Sequence, residues 1–286
     1  MPRARAPRMS LGGIVLLLVI FFFLNRAGLL PQTQTTNLPG GSAFPTQSPG
    51  SPRAPEPLGS PRSPGSFGPS TGALGTPAEE QLVDFVSFVL DDVQKMWAGA
   101  LPGYRDAKLV LFRGTVQSGC GFAAAQMGPF YCPADEKVYV DLSFYEEMRS
   151  RFGAPGDFAQ AYVLAHEIGH HVQKITGIEL EVRSAQARSR REKNPLSVKM
   201  ELQADCFAGV WGGSAGERGI LEHGDVEEGL RAAAAIGDDR LQKMQTGRVQ
   251  PEGFTHGSSE QRMRWLRQGL EVRDPERCDT FSIARP

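Results

Sequence analysis

The sequence has almost no charge imbalance: 31 lysines and arginines stand against 32 aspartates and glutamates. Without a basic field there is no electrostatic footprint for nucleic acid, and none is expected as a partner. Cysteine is scarce, with four in 286 residues. No two of them form a CxxC, which argues against a structural zinc site. No internal repeat is present. No uninterrupted apolar run reaches the roughly 20 residues of a full membrane span; the longest, LGGIVLLLVIFFFL, has 14, from Leu11 to Leu24. Histidine is nearly as scarce as cysteine, yet three of the five lie between residues 166 and 171.

The short apolar run has a context. Arg3, Arg5 and Arg8 precede it, and Asn25, Arg26 and Ala27–Leu30 follow. Arg26 can snorkel to the far interface, which lengthens the usable span. No small-x-small cleavage site follows, and no cysteine is placed for lipidation. The expectation is an uncleaved signal anchor over residues 1–30, a single-pass helix in the cell membrane; a cleaved signal peptide is the competing reading. In both, the arginines stay in the cytoplasm and the bulk of the chain is extracytoplasmic.

Residues 31–75 are rich in proline, glycine and serine, as in QSPGSPRAPEPLGSPRSPGSFGPSTG. Such a segment buries too little apolar surface to offset its ordering entropy, so a disordered linker is expected. From residue 76 the composition is that of a folded domain, 76–286. Thr76 and Pro77 suit the cap and first position of a helix, with acidic residues in its first turn. KLVLF (108–112) and KVYVDL (137–142) read as strands. Helices are expected around 143–152, 157–176, 194–212, 225–236 and 257–270. A few strands followed by many helices indicate an α+β domain with a small sheet and a mostly helical C-terminal half.

An even cysteine count in an exported chain points to bridges. Three pairings of Cys120, Cys132, Cys206 and Cys278 are possible. Cys120–Cys132 would close the glycine-rich loop CGFAAAQMGPFYC, leaving Cys206–Cys278 to tie a central helix to the C-terminal tail. Buried free thiols are the competing reading, and Cys206 suits it best.

The chemistry concentrates in AYVLAHEIGHHVQ, residues 161–173. Val163, Leu164, Ile168 and Val172 recur at helical spacing. HEIGH is an HExxH: His166 and His170, four apart, share one helix face and can hold one metal ion, with Glu167 beside them to engage a water. A longer HExxHxxGxxH would need Gly at 173 and His at 176, where this chain has Gln173 and Thr176, so the third ligand lies elsewhere. MELQADCFAG offers Glu201 and Asp205, also four apart. Glu201 would complete a His2Glu site with one open position, the ligand set of a catalytic Zn2+. Asp205, one turn on, could accept the free ring N–H of a ligating histidine. Glu179, Glu181 and His223 remain alternatives for the third ligand. A zinc ion would make water nucleophilic near neutral pH, with Glu167 as general base. That is peptide hydrolysis, and KVYVDL is expected to be the edge strand that pairs with an extended substrate.

GPFYCPADEKVYVDLSFY, GDFAQAYVLAHEIGHHVQ, ELQADCFAGVW, IGDDRLQ and FTHGSSEQR together resemble the putative neutral zinc metallopeptidase family of membrane-anchored bacterial proteins. The resemblance covers about residues 76–285. It implies a zincin-like fold with His166, Glu167 and His170 as ligand, base and ligand. A fainter similarity joins Glu201, Asp205 and THGSSEQR to the CAAX-protease and heat-shock membrane protease group. That implies His256 near the reacting carbonyl, a second catalytic residue, with Arg262 as a supporting charge. A helix-capping loop that merely contains His256 is the alternative, with Ser258 or Ser259 and Gln261 or Arg262 doing the capping. His171, about 100° around the helix from His170, should face solvent or support the site. GDDR at 237–240 is read as a helix stop and cap.

The function expected is therefore a membrane-anchored zinc endopeptidase acting on a peptide or protein. A catalytically silent zinc-binding regulatory module and a zinc amidase acting on the cell wall are the rivals. The intact Glu167 argues against the silent module.

Overall fold

The computed structural model describes residues 76–125, 128–151 and 156–283. The expected anchor (1–30) and linker (31–75) lie outside the described residues. Among the described residues no helix is long and apolar enough to cross a membrane.

Helix α1 spans Pro77–Ala100, with Pro77 in the first turn and the Thr76 side chain accepting from the Glu79 N–H at 3.3 Å. Val86, Val89, Leu90, Val93 and Trp97 recur on one face and are buried, so packing rather than propensity holds this helix. Strands β1 (Lys108–Phe112), β2 (Thr115–Ser118), β3 (Gly121–Ala124), β4 (Phe130–Cys132) and β5 (Lys137–Asp141) follow. β2 and β3 form a hairpin, and the other three make a sheet in the order β1-β5-β4.

This order corrects one expectation. KVYVDL is not an edge strand: β5 pairs parallel with β1 and antiparallel with β4. Val138, Tyr139, Val140 and Asp141 are all buried. Alternating burial marks an exposed or edge strand, whereas a run buried on both faces belongs in the centre. The edge next to the helices is β4.

Helices α2 (Phe144–Arg151), α3 (Asp157–Ile175), α4 (Ile178–Arg188), α5 (Lys193–Glu217), α6 (Asp225–Ala235), α7 (Asp238–Thr246) and α8 (Ser259–Val272) complete the domain. The architecture is α+β and mostly helical. α3 is buried nearly all round, from Phe158 to Ile168, as a helix at the centre of a core must be. It packs against α5, and their closest approach is at the glycine of HEIGH. A Cβ at Gly169 would lie 3.0 Å from the Ala204 Cα, so only glycine lets the helices meet without displacement.

Two disulfides form. Cys120–Cys132 ties the β2–β3 turn to β4, and Cys206–Cys278 ties α5 to the C-terminal tail. Their Cα separations of 5.7 and 5.6 Å are those of ordinary bridges.

Candidate metal centre

His166 and His170 project from α3 with their rings at 88° and centroids 4.8 Å apart. Glu201 comes from α5. Its Oε2 lies 3.2 Å from His166 Nε2 and its Oε1 lies 3.6 Å from His170 Nε2. Ligand atoms about 2.0–2.1 Å from a tetrahedral zinc sit about 3.3 Å from one another, and these two distances bracket that value. All three residues can place a ligand atom within 4.8 Å of the others. The two nitrogens and a carboxylate therefore fit Zn2+ and leave a fourth position open. Glu179, Glu181 and His223 are not part of this cluster; Glu179 instead pairs with Arg183.

Each histidine presents its Nε2 to the cluster because its Nδ1 is engaged elsewhere. His166 Nδ1 donates to Asp205 Oδ1 at 2.8 Å. His170 Nδ1 donates to Gln173 Oε1 at 2.8 Å. Both acceptors fix the tautomer that a metal requires.

The electrostatics also suit a cation. In the metal-free cluster, burial would depress the His166 imidazole, but the Asp205 and Glu201 carboxylates outweigh it and its pKa is raised to about 9. Burial would likewise raise Glu201, but His170 and His166 hold its carboxyl well below the usual range. Glu167 behaves differently. It is buried beside the cluster, and burial pushes its carboxyl up despite the two histidines.

The family model described as "Putative neutral zinc metallopeptidase" matches residues 58–281 of the chain. The chain belongs to this family. Among its relatives is the uncharacterized protein YpfJ of Escherichia coli (strain K12), 53% identical over 211 residues, covering 72% of this chain and 74% of the relative. The uncharacterized protein Rv2575 of Mycobacterium tuberculosis (strain ATCC 25618 / H37Rv) is 43% identical over 205 residues, covering 68% and 69%. No solved structure matches. As a member of a zinc peptidase family, the chain has zinc as the implied occupant of its His/Glu cluster.

Behind the zinc-family ligands lies a buried polar layer. Asp205 is fully buried. It receives the Arg262 guanidinium in two bonds, Nε to Oδ2 at 2.9 Å and Nη2 to Oδ1 at 2.8 Å, and the Tyr162 hydroxyl at 2.6 Å. A buried carboxylate contacting an imidazole needs such a counter-charge. The Arg262 guanidinium is buried and is engaged by Asp205 and the Tyr162 hydroxyl.

His171 is wholly buried, not solvent-facing. Its Nε2 donates to the Arg105 carbonyl at 2.6 Å, so its Nδ1 accepts from the Tyr131 hydroxyl at 2.9 Å. Burial holds its pKa below the ordinary value. It fastens β4 and the loop before β1 to the helix that carries HEIGH.

His256 is half exposed and lines the same cleft as the three ligands and Glu167. The loop that carries it is held by Asp238, whose Oδ2 accepts from the backbone N–H groups of Thr255 and His256 at 2.6 Å each and of Gly257 at 3.1 Å. Asp238 Oδ1 lies 3.2 Å from His256 Nδ1, and this bond raises the imidazole's pKa. The capping reading also holds: Ser258 and Gln261 form a reciprocal capping box at the start of α8. Sequence reasoning took GDDR as a simple stop and cap, and missed the work of Asp238. It also missed Gln173, Tyr131 and Tyr162, for which no spacing rule gave a signal.

Proposed function

We propose that the chain is a zinc-dependent endopeptidase with a zincin-like domain. The observation that carries this is one cleft that holds a His2Glu ligand set, an adjacent buried Glu167 and an exposed strand edge. Zinc held by His166, His170 and Glu201 would supply a Lewis acid that polarises a carbonyl and makes water nucleophilic near neutral pH. Glu167 takes a proton from the attacking water as the C–O bond forms. It then delivers that proton to the amide nitrogen as the C–N bond breaks. Its raised pKa suits both halves of this transfer. His256, held by Asp238, donates to the carbonyl oxygen as charge builds there. An extended substrate pairs with β4, whose outer edge is free of other strands among the described residues.

The setting proposed is the outer face of the cell membrane, with residues 1–30 as anchor. Two disulfides favour an oxidising compartment, and the apolar run from Leu11 to Leu24 with its preceding arginines favours that orientation.

The deciding experiment combines metal analysis with a peptide-library digest of the full-length protein and its Glu167→Gln variant. About one zinc per chain is expected in both, from the single His2Glu set, and cleavage in the first alone. Activity retained by Glu167→Gln would remove the general-base role. Turnover of cell-wall amides in place of peptides would turn the reading to an amidase.

A further inference from the structure

The candidate metal cluster occupies one part of a cleft of about 610 Å³, and the described residues lining the rest are mostly apolar, apart from Gln245 and two tyrosines. Helix α7 forms one wall. Leu241 and Met244 lie three apart on it, hence on one face, and both line the cleft together with Ile236 just before the helix. Met244 is 55% exposed, so its side chain is open to a ligand in the cleft. Phe130 on β4 and Phe144 on α2 add aromatic surface to the same cavity. Phe130 is held in place by stacking on Tyr139, centroids 4.9 Å apart.

The wall is fixed rather than incidental. Asp238, the first residue of α7, is the carboxylate that gathers the Thr255, His256 and Gly257 amides. Asp239 accepts from the Ser259 N–H at 2.7 Å and from its hydroxyl at 2.8 Å. One end of α7 is thus pinned to the loop that carries His256, so the wall and that imidazole are set together.

Among the described residues, every ionisable side chain lining the cleft already has a task. Arg262 is paired with Asp205, and His256 with Asp238. The others are Glu167 and the three ligands, with two tyrosines. A charged substrate side chain placed against Leu241 and Met244 would lose hydration and meet no free opposite charge among the described residues, only the neutral Gln245 beside them.

We propose that this wall selects the substrate. It takes a large aliphatic or aromatic side chain adjoining the bond to be cut, and rejects glycine and charged residues there. This rests on the peptidase reading above. Methionine on the wall suits side chains of differing shape, because its thioether adapts to each.

The test uses the full-length, zinc-loaded protein and a series of peptidyl hydroxamates that differ only in the side chain next to the hydroxamate: Gly, Ala, Leu, Phe, Asp or Lys. Leu and Phe probes should bind roughly 10–100-fold more tightly than Gly or Asp probes, from the few methylenes they bury. Met244→Glu, at an exposed position that costs no core packing, should shrink that preference and improve the Lys probe; Leu241→Ser should shrink it without favouring Lys. Equal affinities, a preference for charged probes, or no binding to zinc-loaded protein would overturn the proposal. So would an apolar ranking unchanged in both variants. The probes bind without being cut. Discrimination without any peptide cleavage would therefore sink the peptidase reading alone, and cleavage without discrimination would sink the subsite alone.

Discussion

Gln173 is fully buried and both ends of its amide are in use. Its Oε1 accepts from His170, while its Nε2 donates to the Met200 carbonyl at 2.7 Å and to Gln203 Oε1 at 3.0 Å. Gln203 in turn donates to the Cys278 carbonyl at 3.0 Å. The orientation of the His170 ring, in the candidate metal cluster, is thereby handed back through two amides to a disulfide-bonded residue. Gln173→Leu should lower zinc affinity about 10–100-fold, the usual cost of losing a partner behind a ligand. Gln173→Glu keeps an acceptor for His170 but loses the donor to Met200 and Gln203, so it should lose less zinc affinity than Gln173→Leu. Chelator competition reads both, and equal losses would mean that Gln173 only fills space. Asp205 carries a heavier load, because Arg262 is buried with it. Asp205→Asn leaves that guanidinium without a counter-charge, a loss on the order of 3–5 kcal/mol. Its melting temperature should fall, and Asp205→Asn with Arg262→Leu should regain stability without regaining zinc affinity. Glu201→Ala, by contrast, should lose zinc outright, and the metal-free protein should lose the stability that the pairing of Glu201 with the two histidines contributes near neutral pH. At this scale the sequence was most legible where two groups of one kind stood four apart, as in His166 and His170 or Glu201 and Asp205. Gln173 and Tyr131 were illegible because a lone polar residue in an apolar helix or strand carries no signal of its partner.

Between elements, α5 and α8 approach so closely that glycine meets backbone. A Cβ at Gly269 would fall 2.0 Å from the Cys206 carbonyl oxygen, and one at Gly209 would fall 2.2 Å from the Leu266 carbonyl oxygen. Gly269→Ala must therefore push the helices apart, at roughly 1–3 kcal/mol or more. It also moves Arg262, about two turns earlier on α8, away from Asp205. Lower melting temperature and weaker zinc binding should appear together, and a variant that lost neither would show that the helices can slide. The bridge beside this crossing acts on the same pair. Cys206–Cys278 closes a loop with a sequence separation of 72, against 12 for Cys120–Cys132. Chain entropy assigns them about 4.5 and about 3 kcal/mol. Loss of the first should thus be the more damaging, by serine substitution and thermal melting. The long helices were legible because cap and apolar period coincided, as at Thr76 and Pro77. α4 was not: it starts three residues after α3 ends, so the polar gap that separates elements is missing, whereas the helix that GDDR was read as capping is α7. The β2–β3 hairpin was hidden by its glycines, and β4 by having only three residues. The central place of β5 follows from pairing on both sides, which no local pattern reports.

For the whole domain, the metal cluster couples stability to pH in a direction that zinc should reverse. In the metal-free protein the His166 imidazole has its pKa raised from 6.5 to about 9, and those of His170 and His256 are raised as well. A raised pKa means that the folded state holds its proton more tightly than the unfolded chain does. The resulting stability is complete below about 6.5, the unfolded value, and is lost as pH climbs through about 9. At acid pH the depressed carboxyls act oppositely: Glu201, Asp205 and Asp92 stabilise the fold above the ordinary carboxylate range and cease to do so as pH falls below it. Zinc competes for the same Nε2 atoms as the proton, so binding must release protons over the window in which His166 is still charged. The melting temperature of the metal-free protein should therefore decline between pH 6.5 and 9, while the zinc-bound protein stays level or gains. Calorimetric titration of zinc in buffers of different ionisation enthalpy should report proton release that shrinks toward pH 9. A metal-free melting curve that rises across that window, or zinc binding with no proton release at pH 7, would mean that the two histidines and Glu201 are not the residues that take up the metal.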